Sequence, residues 1–275
     1  MLLSLAHLTL NQVPPPELVA IAAETGFDAV GLRLGRGARS SDPTWPMLGD
    51  TPMLRETRER LADTGLQVLE AEGVSILPGR SIGSFRQLPA LIEAAAELSA
   101  HYLAVAAFDP NKGTVAEQLA ELCELCRPAG LVPVVEFMSR SAVRNLSDAL
   151  DLVQQPGCES AGVVLDTLHF FRSGGSVADL ERADHRRIHL IQLSDASKAP
   201  PPSEQDAREE SRNRLLPGQG DLPLADVLAA ASDVGWISME VPDSSCAHSP
   251  LEMARQVMLA AQQLLARGGE AHARR

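Results

Sequence analysis

Gly162-Val-Val-Leu-Asp166 is a short apolar run that ends in a carboxylate, and three other segments in the second half of the chain follow the same plan. They are Val132-Pro-Val-Val-Glu136, Ile188-His-Leu-Ile-Gln192 and Ile237-Ser-Met-Glu240. Each run has the length and the aliphatic content of a buried strand. A polar group at the end of a buried strand is costly unless the protein uses it there. The four runs therefore predict parallel strands that end in a shared polar site.

The four polar strand ends are expected to face the same way. Alternate side chains of a strand point to one face, so each polar residue shares a face with the residue two positions before it. Three carboxylates and one amide, from Glu136, Asp166, Gln192 and Glu240, would then converge at one edge of the sheet. Like charges repel strongly in a site with little water, and a divalent cation relieves that repulsion.

Strand-like and helix-like segments alternate along the whole chain, which is typical of repeated βα units around a parallel sheet. The chain has 275 residues, close to the length of about 250 that a (β/α)8 barrel commonly has. Hydrophobic residues make up 45% and aromatic residues only 3%, which suits the branched aliphatic layers of such a barrel. No Pro-, Ser- or Gly-rich linker divides the sequence. We predict an α/β fold, a single (β/α)8 TIM barrel domain spanning residues 1–275.

The periodicity predicts eight strands and eight helices. The strands are predicted at 2–10, 28–34, 66–72, 102–108, 132–136, 162–166, 188–192 and 236–241. The helices are predicted at 14–26, 54–64, 88–98, 115–126, 146–153, 177–182, 224–232 and 250–266. Parallel barrels carry their functional groups at the carboxyl ends of the strands, which is where all four polar residues fall.

Two connections are longer than the rest, 35–50 and 194–217. The second is polar, charged and rich in proline. A loop of that length in a compact domain is usually a lid, a binding segment or disordered. Because it follows a predicted site residue, we predict a lid, with simple mobility as the alternative.

Charge and hydropathy restrict the class of partner. The formal net charge of −12 argues against a nucleic-acid partner, because binding to phosphates depends on Lys and Arg. The segment Met1 to His7 has no basic region of a secretory signal, and no apolar stretch approaches the roughly 20 residues that span a bilayer. These features predict a soluble cytoplasmic protein with a small-molecule substrate and no membrane partner. A homo-oligomer remains possible.

The ordered set of site residues resembles the sugar isomerase and epimerase superfamily with the xylose-isomerase-like TIM barrel. The resemblance rests on Glu136, Asp166-Thr-Leu-His169, Ile191-Gln-Leu-Ser-Asp195, Arg214-Leu-Leu-Pro-Gly-Gln-Gly220 and Glu240. It implies one divalent metal ion, held by Glu136, Asp166, Gln192 and Glu240. Most relatives have histidine at the position of Gln192. The hydroxypyruvate isomerase and 3-dehydroshikimate dehydratase branches have glutamine there, and this chain resembles them. An all-oxygen ligand set favours Mg or Mn over Co or Zn.

The resemblance also implies a reaction in carbohydrate metabolism. A metal that chelates adjacent carbonyl and hydroxyl oxygens acidifies the C–H between them and stabilises the enediolate. Glu136 and Glu240 would remove and return the proton, although both glutamates could instead be ligands only. We predict a metal-dependent isomerase or epimerase of a sugar or sugar phosphate. A 3-dehydroshikimate dehydratase-type lyase and a non-catalytic sugar-binding barrel are the alternatives.

The resemblance and the strand pattern suggest further residues for substrate binding. His169 is placed at the mouth of the site, and Arg214 at the family's position for an arginine that contacts substrate oxygens, carboxylate or phosphate. The alternative for His169 is a loop histidine that faces solvent, and the alternative for Arg214 is an ordinary charged residue of the loop. Asp195 is predicted to orient the loop or the ligand shell.

The first three predicted strands supply less specific candidates. Arg33, Glu70 and Glu72 have inward parity near the carboxyl ends of strands two and three, and Arg33 could pair with either acid. A substrate contact and a structural ion pair are equally compatible with this pattern. His7 ends strand one and either lines the pocket or is a hydrogen-bonded core histidine.

Overall fold

Eight parallel strands close into a barrel in the order in which they occur along the chain. The structure, a computed structural model, describes residues 1–35, 42–245 and 247–272, and of residues 268–272 only the backbone. The strands are β1 Leu2–Leu5, β2 Ala29–Arg33, β3 Gln67–Ile76, β4 Tyr102–Ala107, β5 Val132–Glu136, β6 Gly162–Asp166, β7 Ile188–Leu193 and β8 Trp236–Met239. The predicted (β/α)8 fold is confirmed.

Ten α-helices lie in the described part of the chain. They are α1 Pro15–Thr25, α2 Pro52–Thr64, α3 Leu88–Glu97, α4 Lys112–Cys126, α5 Leu146–Val153, α6 Thr167–Arg172, α7 Val177–Glu181, α8 Glu204–Glu210, α9 Leu224–Ala230 and α10 Pro250–His272. None of these helices combines the length and the apolar character needed to cross a membrane.

Two of these helices, α6 and α8, were not predicted. Helix α6 starts directly at the end of β6, where the Asp166 carboxylate accepts a hydrogen bond from the backbone N–H of His169 at 2.9 Å. Helix α8 starts at Ser203, whose hydroxyl accepts from the backbone N–H of Asp206 at 3.2 Å. The connection 194–217 is therefore structured over part of its length. Of the other predicted loop, residues 36–41 lie outside the described part.

The interior of the barrel is filled by aliphatic side chains, as the composition predicts. Ala29, Leu69, Val134, Val164 and Leu190 form a fully buried layer. Aromatic groups pack below it at the amino-terminal ends of the strands, where the rings of Tyr102 and His189 lie 5.2 Å apart. The layer separates the lower end of the barrel from the polar rim and gives the rim a rigid base.

A β-bulge in β3 brings a glutamate into the barrel above this layer. The pairing of β2 with β3 shifts by one residue, from Val30 opposite Val68 to Gly31 opposite Glu70, and leaves Leu69 as the extra residue. The Glu70 side chain lies against Gly31, where an added Cβ would be 3.1 Å from the Glu70 Cγ atom. Glu70 is fully buried in this position. The bulge and the small Gly31 together make room for an acid inside the barrel.

Candidate active site

A pocket of about 380 Å³ opens at the carboxyl ends of the strands. Its lining includes Glu136 at the end of β5, Gln192 on β7 and Glu240 just after β8, together with His169 and Arg214. A larger cavity of about 510 Å³ lies beside it, along residues 8–13 and 242–244, and its walls contain none of the predicted site residues. The smaller pocket is therefore the candidate active site.

Glu136, Asp166 and His169 form a cluster in this site. One ligand atom from each lies within 4.8 Å of the others, and the His169 Nε2 atom is 3.4 Å from Glu136 Oε1. Burial lowers the pKa of His169 to about 4, so its imidazole is neutral near pH 7 and can offer a lone pair. The sequence predicted His169 as a substrate contact, and the structure places its ring in the lining of the pocket, beside the Glu136 carboxylate. The cluster can hold a divalent metal ion.

Arg214 lies between two of the predicted metal ligands. Its Nη1 atom is 2.6 Å from Asp166 Oδ2 and 2.8 Å from Glu240 Oε2, and its side chain is only 3% exposed. Burial alone would raise the pKa of Asp166, but the charges of Arg214 and His169, together with the hydrogen bonds from both residues, outweigh it and lower that pKa. The same two carboxylates raise the pKa of Arg214, against the effect of burial. Arg214 is thus the counterion of Asp166 and Glu240.

The pKa values of Glu136 and Glu240 are raised. Burial raises the pKa of Glu240 to about 7; Arg214 acts in the opposite direction, and the charges of Asp166 and Glu72 add to the rise. Burial also raises the pKa of Glu136 well above its usual range, helped by the charges of Glu240 and Asp166. Carboxylates whose pKa values are raised toward or above neutral pH hold a proton more readily and are suited to proton transfer.

Gln192 is held by a hydrogen bond across the barrel. Its Nε2 atom donates to Glu70 Oε2 at 3.2 Å, and the Ser238 hydroxyl donates to Glu70 Oε1 at 2.5 Å. The Gln192 Oε1 atom is buried and has no hydrogen-bond partner among the described residues. Because the amide nitrogen is bound to Glu70, the free atom of this side chain is an oxygen acceptor.

These observations fit the divalent metal ion that the resemblance implies. Three carboxyl groups, from Glu136, Asp166 and Glu240, share a single arginine in the cluster, so their full ionisation would leave an excess of negative charge. The buried Gln192 Oε1 and Glu240 Oε2 atoms have no hydrogen-bond partner among the described residues, although Glu240 Oε2 forms the ion pair with Arg214. Buried acceptors of this kind are rare unless another group uses them.

The remaining candidates from the first strands are engaged within the protein. Arg33 pairs with Glu72, at 3.0 Å from Nη2 to Oε2, and its Nη1 atom donates to Asn11 Oδ1 at 2.6 Å. His7 Nδ1 accepts from the backbone N–H of Arg33, and Nε2 donates to the Val13 carbonyl, both at 2.9 Å. Arg33 and Glu72 line the pocket, whereas the polar atoms of His7 are fully used by the backbone.

Asp195 shapes the turn that follows Arg214. Its carboxylate accepts hydrogen bonds from the backbone N–H groups of Gly218, Gly220 and Leu222 at 2.8 to 3.1 Å. A Cβ on Gly220 would lie 2.4 Å from the Ala196 carbonyl oxygen, so this position requires glycine. Asp195 also exchanges two backbone hydrogen bonds with Leu215, the residue after Arg214, and thereby fixes the backbone that carries the guanidinium.

We expect Glu70→Gln to stabilise the metal-free protein at pH 9 but not at pH 5. Burial raises the pKa of Glu70 from its ordinary value of 4.5 to about 8, so the folded state holds a proton that the unfolded state has lost. The stability that this proton provides is complete below about pH 4.5 and is lost as the pH rises through 8. Glutamine resembles the neutral acid at every pH, so the gain at pH 9 should exceed about 1 kcal/mol.

The free energy of unfolding in urea, measured with chelator at pH 5, 7 and 9, checks this prediction. Glu59→Gln, on the exposed surface of α2, is the matched control and should show no such pH dependence. A difference between wild type and Glu70→Gln that is the same at all three pH values would contradict the buried, protonated state of Glu70.

Comparison with known proteins points to one family. The family model described as "Xylose isomerase-like TIM barrel" matches residues 19–264. Inosose isomerase from Bacillus licheniformis is 31% identical over 127 residues, which is 46% of this chain and 44% of that protein. The aligned part thus spans less than half the length of this curated relative.

Two solved structures share the fold over nearly the whole chain. The IOLI protein with a bound zinc atom has a TM-score of 0.81 and 19% identity, covering 97% of this chain and 99% of that one. The probable 3-DHS dehydratase AsbF from Bacillus anthracis has a TM-score of 0.72 and 16% identity, covering 95% and 99%. At these identities the likeness shows the fold alone.

Proposed function

The chain belongs to the xylose isomerase-like TIM barrel family, and from this premise we propose that it is a divalent-metal-dependent isomerase or epimerase of small polyhydroxy carbonyl compounds. The observation that carries the proposal is the presence of two carboxylates with raised pKa values, Glu136 and Glu240, in one pocket with His169, next to the buried Asp166. The local similarity to inosose isomerase makes inosose the first compound to test.

In this proposal one divalent ion, with Mg or Mn favoured, is held by Glu136, Asp166, Gln192 and Glu240. The free Gln192 oxygen and the excess of carboxylates support that set. His169, whose ring is neutral and close to Glu136, binds a substrate oxygen next to the ion. Asp166 and Glu240 would hold the ion with oxygens that now pair with Arg214, and the guanidinium would then be available to an oxygen of the substrate.

Glu240 and Glu136 move the proton in the proposed reaction. The pKa of Glu240 is about 7, so at neutral pH the free protein contains this group in both the basic and the acidic form. Glu240 removes the proton from the carbon next to the carbonyl, and Glu136 returns a proton to the neighbouring carbon or to the opposite face. When bound, the ion supplies the positive charge that stabilises the enediolate between these steps.

A lyase that removes water from a 3-dehydroshikimate-like substrate is the second candidate. It uses the same base and ion, and it needs a cationic group for the substrate carboxylate. Five arginines in the lining of the pocket favour it: Arg33, Arg140, Arg208, Arg212 and Arg214. A barrel that only binds sugar has no use for two carboxylates with raised pKa values in one pocket.

Exchange of carbon-bound hydrogen tests the proposal directly. The protein, loaded with Mn²⁺ in deuterated water, is incubated with inosose, a panel of ketoses, hydroxypyruvate and 3-dehydroshikimate, and exchange is followed by NMR. We expect deuterium at the carbon next to a carbonyl in at least one compound, with interconversion, and loss of both after chelation. If 3-dehydroshikimate gave a rise in ultraviolet absorbance and none of the other compounds reacted, the protein would be the lyase. Absence of exchange in every compound would reject both reactions.

A further inference from the structure

Three arginines stand at the outer wall of the candidate active site. Arg140 lies in the loop after β5, Arg208 on α8 and Arg212 just after α8. All three line the same pocket as Glu136, His169 and Gln192. The pocket thus combines an acidic floor with a basic wall, in a chain whose net charge is −12.

The positive charge of this wall is poorly compensated, unlike that of the two deeper arginines. Arg33 is paired with the partly buried Glu72, and Arg214 with the buried Glu240. Arg140 forms no ion pair within the described residues, and burial together with the charges of Arg208 and Arg212 lowers its pKa, although Glu136 and Glu204 act in the opposite direction.

The pairs that the other two arginines form are exposed and weak. Arg208 Nη2 lies 3.4 Å from Glu204, and Arg212 Nη1 lies 3.9 Å from Glu209. Exposed ion pairs contribute little to stability, so the geometry of these two pairs is easily given up. The guanidinium groups of Arg208 and Arg212 are therefore available to a ligand.

The element that carries Arg208 and Arg212 is fixed in place. Arg172 on α6 donates from Nε to Glu210 Oε2 at 2.8 Å and from Nη2 to the Ser197 carbonyl at 2.8 Å. On the other side, Asn213 Oδ1 accepts from the backbone N–H of Ser244 at 2.8 Å. The backbone that carries Arg208 and Arg212 is thus held in position before any ligand binds, which lowers the cost of binding one.

We propose that Arg140, Arg208 and Arg212 form a binding site for an anionic group of the substrate, a carboxylate or a phosphate. The guanidinium fork matches both groups, and an anion between the three side chains removes their mutual repulsion. The inference rests on the proposed function, because it assigns the hydroxy-carbonyl part of the same molecule to the floor of the pocket. A pocket of about 380 Å³ is large enough for one such small molecule.

The test uses Arg140→Gln, Arg208→Gln and Arg212→Gln, singly and combined. The matched control is Arg186→Gln, an exposed arginine that pairs with Asp184 outside this pocket. Inorganic phosphate and glycolate, titrated separately by calorimetry at low ionic strength, identify which anion is preferred. We expect one of them to bind wild type and the control, and the triple variant to bind it at least tenfold more weakly. Equal binding to the triple variant, or no binding of either anion to wild type, would overturn the site.

A second measurement separates this inference from the proposed function. With any turned-over substrate that carries an anionic group, each substitution should raise KM about tenfold and change kcat little, while an uncharged substrate should be unaffected. Exchange on uncharged substrates without any binding of phosphate or glycolate would keep the enzyme and reject the anion site. Binding of the anion through the arginines without exchange on any substrate would keep the anion site and reject the proposed enzyme.

Discussion

Glu240→Gln is expected to lower turnover about 1,000-fold, within the range of about 10²- to 10⁴-fold that a general base contributes. Glutamine has nearly the same shape and keeps an oxygen that can bind a metal ion, but it cannot accept a proton from carbon. The fold should be retained, because glutamine is neutral and the burial of Glu240 opposes ionisation. Deuterium exchange into a substrate that wild type turns over is the measurement.

Glu136→Gln separates the two proposed bases. If Glu240 removes the proton and Glu136 returns one, Glu136→Gln should still exchange the hydrogen that Glu240 removes but should not complete the interconversion. Glu59→Gln on α2 again serves as the unaffected carboxylate. The removal of a general base should cost far more than a factor of about ten. If Glu240→Gln retained more than about a tenth of wild-type exchange, the alternative in which both glutamates are metal ligands only would be favoured.

The barrel could be predicted because its signals are local. Apolar runs that end in polar residues marked the strands, and the predicted bounds of β5 and β6 match the observed ones, Val132–Glu136 and Gly162–Asp166. Helix α6 was missed because Asp166 acts both as the last residue of a strand and as a helix cap. The polar composition of 194–217 concealed α8, which is held by contacts to Arg172 and Ser244 that are remote in sequence.

The location of Glu136, Asp166, Gln192 and Glu240 at or next to the carboxyl ends of strands could be predicted, but the partners of the polar side chains could not. Gln192 and Glu70 are 122 residues apart, and their hydrogen bond depends on the bulge that turns Glu70 into the barrel. The ion pairs of Arg214 with Asp166 and Glu240 likewise depend on how a loop folds over the rim. Arg140 was not recognised as part of the site, because it follows Glu136 by four residues in a loop without a periodic pattern.

Arg214→Met is expected to destabilise the metal-free protein by about 3 to 5 kcal/mol, the usual cost of leaving buried charges without a partner. Arg214 is the counterion of two buried carboxylates, and methionine fills similar space without a charge. Burial raises the pKa values of Asp166 and Glu240 and the charge of Arg214 lowers them, so without Arg214 both pKa values rise, and the two carboxyl groups take up a proton more readily at pH 5 than at pH 8. The loss in the variant should therefore be larger at pH 8 than at pH 5.

The same variant shows whether the arginine and a metal ion compete for one pair of carboxylates. Without Arg214, Mn²⁺ meets no competing cation at Asp166 and Glu240, so it should raise the free energy of unfolding more in Arg214→Met than in wild type. Urea unfolding at pH 8, with chelator and then with Mn²⁺, measures both effects. Arg172→Met is the matched control, because it removes an ion pair to Glu210 away from these carboxylates. If Mn²⁺ stabilised wild type and Arg214→Met equally, the ion would bind elsewhere, and the ligand set proposed here would be wrong.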